Sequence, residues 1–334
     1  MEEAAAPGMK QDARRNAPSL SRFVTIAPPL FLVVILALVP LAHPGPNAIR
    51  LLFISLVWIT ASVGWNILGG VAGQVSFGFA VFYGLGAYAT AISLNAGLDR
   101  LPSLALAALV GATTSLLVGL PTFRLRGPYF AIATIGVSEA VRVVMTNLAV
   151  TGGASGYRIT EKGAFNQRLH FYVALGLAAG AVAISMLIRH SKLGLALISI
   201  REDEDAASDL GVNPYATKLL THALAAALTA AAGGVYAGYS AFVHPNGVFG
   251  FDISVAILLM PIIGGIGTVW GPVIGAVVYG LVQEELIASF PQFHLFLYGA
   301  LLILIILFEP GGVLGLINQL IRFVKARTGV GAHT

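Results

Sequence analysis

The sequence predicts an all-α polytopic membrane protein, and three observations carry that prediction. The mean hydropathy is +0.85. Only 10% of the residues are charged, where a soluble globule carries about a quarter. Apolar runs close to the roughly 20 residues that a membrane span needs recur from Thr25 almost to the end of the chain. The lysines and arginines sit in short connections between these runs. That placement explains the net charge of +4 as a membrane-orienting pattern and argues against nucleic-acid binding.

Ten spans follow in order, near 24–42, 50–68, 78–97, 103–121, 128–149, 170–189, 217–242, 253–268, 272–290 and 294–317. The polar segment 1–23, with Lys10, Arg14, Arg15 and Arg22, precedes the first span. LAHPG after that span is a poor cleavage site, so the first helix is expected to stay in place rather than act as a signal peptide. Arg124 and Arg126 occupy one short connection, and Arg189, Lys192, Arg201 and Lys218 flank another. Arg322, Lys325 and Arg327 follow the last span, and the 103 residues between Lys218 and Arg322 hold no Lys or Arg. Ten crossings place both termini and both basic connections in the cytoplasm. Three domains result: a cytoplasmic tail at 1–23, a membrane domain at 24–317 with a cytoplasmic loop at 190–217, and a cytoplasmic tail at 318–334. The connection 150–169 is the exception, with Arg158, Lys162 and Arg168 on the outer side.

Two glycine-rich segments interrupt the pattern: GGVAGQVSFGFAVFYGLGAYATA at 69–91 and GGIGTVWGPVIGAVVYG at 264–280. Irregular backbone at membrane depth survives only against protein or a water-filled cavity, and paired interruptions of this kind point to a transport path. If both segments only enter the bilayer and return, the spans number eight. Two readings stand for each segment. Gly267, Gly271 and Gly275, like Gly234 and Gly238, form small-residue ladders suited to close helix packing. Gly73, Gln74, Ser76 and Gly78 combine polar groups with glycine and favour a path, with Gly264, Gly265 and Gly267 as its second half.

Chemistry is sparse. There is no cysteine, and the seven histidines (43, 170, 190, 222, 244, 294, 333) show no metal-ligand spacing. No GxSxG or phosphate-binding GxxxxGK[ST] occurs. The GxGxxA at 84–89 lies inside an apolar span rather than after a strand. Glu139 and Arg142, at i and i+3, are expected to neutralise each other. Glu284, Glu285, Asp252 and Glu309 lie at or near span ends. Ionisable groups inside the membrane are too few to favour ion coupling.

The acids gather elsewhere. The segment 199–212, SIREDEDAASDLGV, holds five of the chain's 15 Asp and Glu. Ser199 and Glu202 fit a capping box, the acids suit the first turns, and Gly211 suits a C-terminal stop. A surface helix over 200–210 is predicted, with Ala206, Ala207 and Leu210 on a small-residue face that either seats in a groove of another protein or stays solvated.

Asp205 to Gly211, D-A-A-x-x-x-G, resembles the EAA-x-x-x-G loop of ABC importer permeases. SIREDEDAASDLGVN, GQVSFGFAVFYGLGAYATA, RLRGPYFAIATIGVSEAVRVV, TGGASG, GGIGTVWGPVIGA and EPGGVLGL resemble, in order, segments of LivM-type permeases of branched-chain amino-acid ABC importers. The likeness runs over about 50–317. It implies a type II ABC importer permease fold with 8–10 helices in the bacterial inner membrane. It also implies a second homologous permease, two cytosolic ATPases that bind the ATP, and a periplasmic or extracellular binding protein that sets most of the specificity. Arg201, Glu202, Asp203, Glu204, Asp205, Ala206, Ala207, Leu210 and Gly211 become the ATPase-coupling helix. No cofactor, catalytic residue or nucleic-acid partner is expected on this chain, and lipid surrounds it. His222 and Thr229 stand where apolar or small residues are expected. Relatives of the family move urea or short amides, so that substrate class stays as an alternative. A secondary transporter is the rival from another class, and an intramembrane enzyme lacks any supporting constellation.

Overall fold

The computed structural model describes residues 35–42, 45–160 and 166–289, with scattered positions onward to 319. The expected tail 1–23, most of the expected first and last spans, and nearly all of 318–334 lie outside the described residues. Two compact units result, divided after Pro44. In the first, helical residues 35–38 continue into a 3-10 turn at Val39–Ala42.

The second unit is a helical bundle. Its helices in order are α1 (Pro46–Asn66), α2 (Phe79–Asn95), α3 (Arg100–Thr122), α4 (Pro128–Asn147), α5 (Gln167–Arg189), α6 (Lys192–Glu202), α7 (Glu204–Asp209), α8 (Pro214–Ser240), α9 (Pro245–Val248), α10 (Phe251–Gly264) and α11 (Gly271–Ser289). Among the described residues six helical stretches are long and apolar enough to cross a membrane. Phe79–Asn95 and Gly271–Gln283 are shorter apolar helices. These eight coincide with the eight inner spans expected from hydropathy.

Local signals set the ends. Pro opens α1, α4 and α8, where a missing N–H costs no intrahelical bond. Asn166 caps α5 through Leu169 N at 3.1 Å, and Asn213 caps α8 through Ala216 N at 3.0 Å. Helix α10 stops at Gly264, before the 268 expected, because Gly265 takes φ +128, which side chains rarely adopt.

Helix α8 is the hub and packs against α1, α2 and α3. In a bilayer, where lipid is as apolar as leucine, close approach of small residues does the work of a hydrophobic core. A Cβ on Gly233 would overlap the Tyr83 carbonyl, and one on Gly86 would overlap that of Ala230. His222 is buried among aromatic rings, 5.1 Å from Phe82 and 5.2 Å from Phe123 between centroids. Thr229 is satisfied within its helix by the Ala225 carbonyl at 3.0 Å.

The connections collect at two ends. At one, the strands β1 (Tyr157–Arg158) and β2 (Phe242–Val243) pair antiparallel, with Tyr157 opposite Val243. Asn95 ties this end together, donating to the Arg158 carbonyl at 2.8 Å and accepting from Thr160 N at 2.8 Å. At the other end, the connection carrying Arg126 meets α7, and Tyr215 reaches the Leu120 carbonyl at 3.0 Å. The basic connections thus share one end of the bundle, and 150–160 lies at the opposite end.

Candidate functional site

Two interruptions in the helices meet at the basic end. After Asn66, α1 widens into a π turn at Ile67–Val71, and the chain then runs without helix from 72 to 78. Gly73 at φ +72 makes the turn possible. The Trp65 indole donates to the Ser76 carbonyl at 2.8 Å, holding the returning strand of this loop. The second interruption separates α10 from α11. There Gly265 and Gly267 have positive φ, and Thr268 bonds the Gly265 carbonyl at 2.7 Å and the Gly271 N–H at 2.9 Å.

Asn66 joins the two. Its amide nitrogen donates to the Thr268 carbonyl at 2.8 Å, and its amide oxygen accepts from Gly267 N at 2.9 Å. Two arginines from the basic end fasten the same pair of breaks. Arg201 donates to the Gly70 carbonyl at 2.9 Å, and Arg189 donates to the Gly267 carbonyl. Glycine at 70 and 267 is required by contact: a Cβ on Gly70 would lie 2.6 Å from Gly267 N, and one on Gly267 would lie 2.9 Å from the Gly70 carbonyl oxygen. Broken helix ends expose unpaired carbonyls, and guanidinium groups are well suited to satisfy them.

Arg201 is the last basic residue of α6, so the acidic segment and the glycine breaks are one connected structure. The local geometry of that segment differs from expectation. Ser199 does not cap a helix; it lies inside α6 and its hydroxyl donates back to the Leu195 carbonyl at 3.0 Å. The helix predicted over 200–210 is instead two helices broken at Asp203, whose φ −157 and ψ 113 are extended. Asp203 is the cap, accepting from Asp205 N at 3.0 Å and Ala206 N at 2.9 Å. Helix α7 closes with Gly211 at φ +88, with Gly211 N bonding Ser208 O at 2.9 Å and Val212 N bonding Ala207 O at 3.1 Å.

The acids next to the cap are used within the chain. Glu204 accepts from Lys218 Nζ at 2.7 Å, and the Lys218 side chain is only 2% exposed. Asp205 pairs with Arg126 at 3.0 Å on the surface; its hydrogen bond pushes the Arg126 guanidinium above its ordinary value. The three residues expected on one face also separate. Ala207 is buried against its own chain, while Ala206 is exposed and Leu210 is 84% exposed. Glu202 and Asp209 are exposed.

The expected path residues fall into three places. Gly73 lies against Arg201, where a Cβ would meet its Cγ at 3.0 Å, and Gln74 is half-buried beside it. Ser76 and Gly78 are buried; a Cβ on Gly78 would lie 2.9 Å from the Thr134 carbonyl oxygen of α4. Gly264 packs on Gly271, Gly275 packs on Met260, and Gly265 lies near Gly311. A cavity of about 470 Å³ opens elsewhere, lined by Arg50, Trp58, Tyr83, Tyr236 and Gln283 among others, and none of the expected path residues lines it.

Helix α4 forms an open flank beside the first break. Only 22% of its apolar window is buried, against 67% for α8. Thr134 accepts from Phe77 N at 3.1 Å, and Phe77 stacks on the half-exposed Phe251 at 6.2 Å. On the same helix Arg142 donates to Glu139 through Nε at 2.9 Å and through Nη2, and to Asn246 Oδ1 at 2.7 Å. Glu139 and Arg142 do neutralise each other, as their spacing predicts. Sequence reasoning missed Asn66 and the role of Arg189. A polar residue three positions before a glycine pair, in WNILGG, is the available signal for the first. Among the described residues no group of three or more His, Asp or Glu is placed to hold a metal.

Residues 47–306 match the family described as branched-chain amino acid transport system / permease component. The chain is 30% identical over 325 residues to the high-affinity branched-chain amino acid transport system permease protein LivM of Salmonella typhimurium, covering 87% of this chain and 76% of that one. It is 32% identical over 136 residues to the LivH permease of the same organism, covering 40% of this chain and 43% of that one. Among solved structures it is similar to a metal-chelate type ABC transporter in an inward-facing conformation, at 15% identity and a TM-score of 0.48, over 79% of this chain and 90% of that one.

Proposed function

Because the chain belongs to the family of branched-chain amino acid transport system permease components, we propose that it forms half of the translocation path of an ATP-driven importer for branched-chain amino acids. It is an integral membrane protein, and its predominantly helical polytopic architecture is the permease fold of that family. The second half of the path comes from a homologous permease. The match to both LivM-type and LivH-type relatives supports such a pairing. Two ATPases in the cytosol bind the ATP, and a binding protein outside delivers the substrate.

One observation carries the mechanical part of this reading. Arg201, at the end of α6, holds Gly70, and Asn66 ties that break to Gly267 and Thr268. A push on α6 and α7 from an ATPase therefore reaches both glycine breaks through three hydrogen bonds made by two side chains. The breaks are the deformable elements, since their glycines occupy backbone conformations that a small rotation changes. Coupling of this kind requires an element with two arrangements that each end can bias. The basic end, with α6 and α7, then faces the cytoplasm of the bacterial inner membrane, as do both termini.

Expression with the neighbouring transport components tests the reading. An ATPase that co-purifies with the chain, and leucine uptake into proteoliposomes that requires ATP and the binding protein, are the expected results. Uptake by this chain alone driven by a proton gradient would establish a secondary transporter instead. Uptake of urea or acetamide in place of leucine would move the substrate class within the same family.

A further inference from the structure

An ion pair half exposed in the middle of an apolar helix needs a reason. Glu139 and Arg142 are the twelfth and fifteenth of the 20 residues of α4, about 17 and 21 Å along it from Pro128 at 1.5 Å per residue. The hydrocarbon core is about 30 Å thick. Their side chains are 57% and 29% exposed. Charged groups at such depth face a bundle interior, a water-filled space or a partner rather than lipid. Arg142 lies within reach of the outer membrane surface, where a long basic side chain ordinarily extends its head. Its head instead is fixed within the chain, by Glu139 one turn back and by Asn246 Oδ1 at 2.7 Å in α9, the short helix that follows β2.

Resting on the permease reading above, we propose that Glu139 and Arg142 form a transient subsite in the path for the zwitterionic head of the transported amino acid. The chemistry matches group for group. A substrate carboxylate can take the fork of Arg142 that Glu139 now fills, while the ammonium takes the Glu139 carboxylate. One ion pair is exchanged for two, so no charge is left uncompensated, and the pair closes again behind the substrate. Asn246 holds the Arg142 guanidinium in place during the exchange. An apolar surface for the rest of such a substrate lies about 7–8 Å further along α4 toward Pro128, at the helical rise per residue. Thr134, five residues earlier on α4, holds Phe77, which stacks on the exposed Phe251 at 6.2 Å. A charged head site and an aromatic platform on one flank describe an amino acid with an apolar side chain. Urea and short amides carry neither charge.

The test uses the complete complex in proteoliposomes with its binding protein, ATP and radiolabelled leucine. Glu139→Leu/Arg142→Leu removes both charges without leaving either unpaired, and Glu139→Gln/Arg142→Gln does so while keeping polar groups. Both variants are expected to assemble and to keep ATP hydrolysis stimulated by the binding protein. Leucine taken up per ATP hydrolysed is expected to fall at least tenfold. Glu139→Asp/Arg142→Lys, which keeps both charges, is expected to recover most of it. Wild-type uptake per ATP in either neutral variant would reduce the pair to mutual neutralisation and overturn the proposal. Failure of both neutral variants to assemble would make the pair an assembly contact and would overturn it equally. Absence of ATP-dependent leucine uptake in the wild type is a separate result, and it would overturn the permease reading itself.

Discussion

Asn66 and Gly267 lie 201 residues apart in the chain and meet through a single hydrogen bond of 2.9 Å between the Asn66 oxygen and the Gly267 N–H. The other half of the same amide serves the Thr268 carbonyl at 2.8 Å. One buried side chain thus satisfies a donor and an acceptor of the second break from the end of the first.

Replacing Asn66 by leucine removes both bonds and leaves the Gly267 N–H and Thr268 carbonyl without that partner. Each buried polar group so stranded costs about 1–3 kcal/mol. Asn66→Leu is expected to lower the melting temperature of the purified complex by several degrees. It should also lower leucine transport more than ATPase activity, because the two breaks no longer move together. Equal loss of both activities, with no change in melting, would remove Asn66 from the coupling route.

The two ion pairs of α7 should behave differently. Lys218 is buried and Glu204 is its partner at 2.7 Å. Breaking a buried pair by removing one side costs about 3–5 kcal/mol, because the other charge is left uncompensated. Glu204→Gln is therefore expected to reduce the yield of folded protein sharply, and Lys218→Met/Glu204→Met to restore much of it. The Arg126–Asp205 pair is mostly exposed, and exposed pairs contribute little. Asp205→Asn is expected to be close to wild type in yield and melting temperature. A reversed order, with Asp205 the sensitive acid, would mean that α7 is held mainly from the Arg126 side.

Hydropathy and the placement of basic residues suffice for the eight inner helices, because both properties are local to each span. Glycine content marks the stretches 72–78 and 265–270, where the backbone is not helical. What fails is the choice among competing local signals. Ser199 and Asp203 are both legitimate caps, and the one used depends on where α6 starts, at the Ser191 cap, and on what it touches. Once α6 runs from Lys192, Ser199 is absorbed and its hydroxyl turns to Leu195. Lys218 then draws Glu204, and Arg201 is drawn to Gly70. The small-residue face divides for a related reason: Ala207 is taken by its own chain. Gly78 reads as a path residue from composition, and its close approach to the Thr134 carbonyl is a contact that composition does not reveal. Asn66 is visible in the sequence only as a polar residue near a glycine pair, and Arg189 only as a basic flank, since the backbone groups they bond lie 202 and 78 residues away.

The sidedness of the bundle is open to a direct test, because the chain has no cysteine. Gly156 is a poor labelling position: it has φ +81, and a Cβ there would lie 2.7 Å from the Val243 carbonyl oxygen. Ser155 is exposed beside it. Ser155→Cys is expected to react with a membrane-impermeant maleimide added to intact cells, and Arg124→Cys only after permeabilisation. Labelling of position 124 in intact cells would invert the orientation.

Leu210 is the sharper probe of docking on α7. A leucine 84% exposed at the end of a six-residue helix contributes almost nothing to this chain's own packing. Neighbouring Ala206 is exposed as well, so together they form the small apolar surface of the segment that remains once Ala207 is buried. Apolar anchors at the centre of an interface carry much of the binding energy, while charges at its rim carry little. Leu210→Asp is therefore expected to leave yield and melting of the isolated permease unchanged. It should weaken ATPase co-purification at least tenfold, or abolish stimulation of ATP hydrolysis by the binding protein. Ala207→Arg should act at an earlier stage, by overfilling a site inside the permease and lowering its yield, since overpacking a fitted position costs about 1–3 kcal/mol. Normal ATPase retention and stimulation in Leu210→Asp would show that the exposed leucine meets only solvent, and the docking surface would have to be sought on α6.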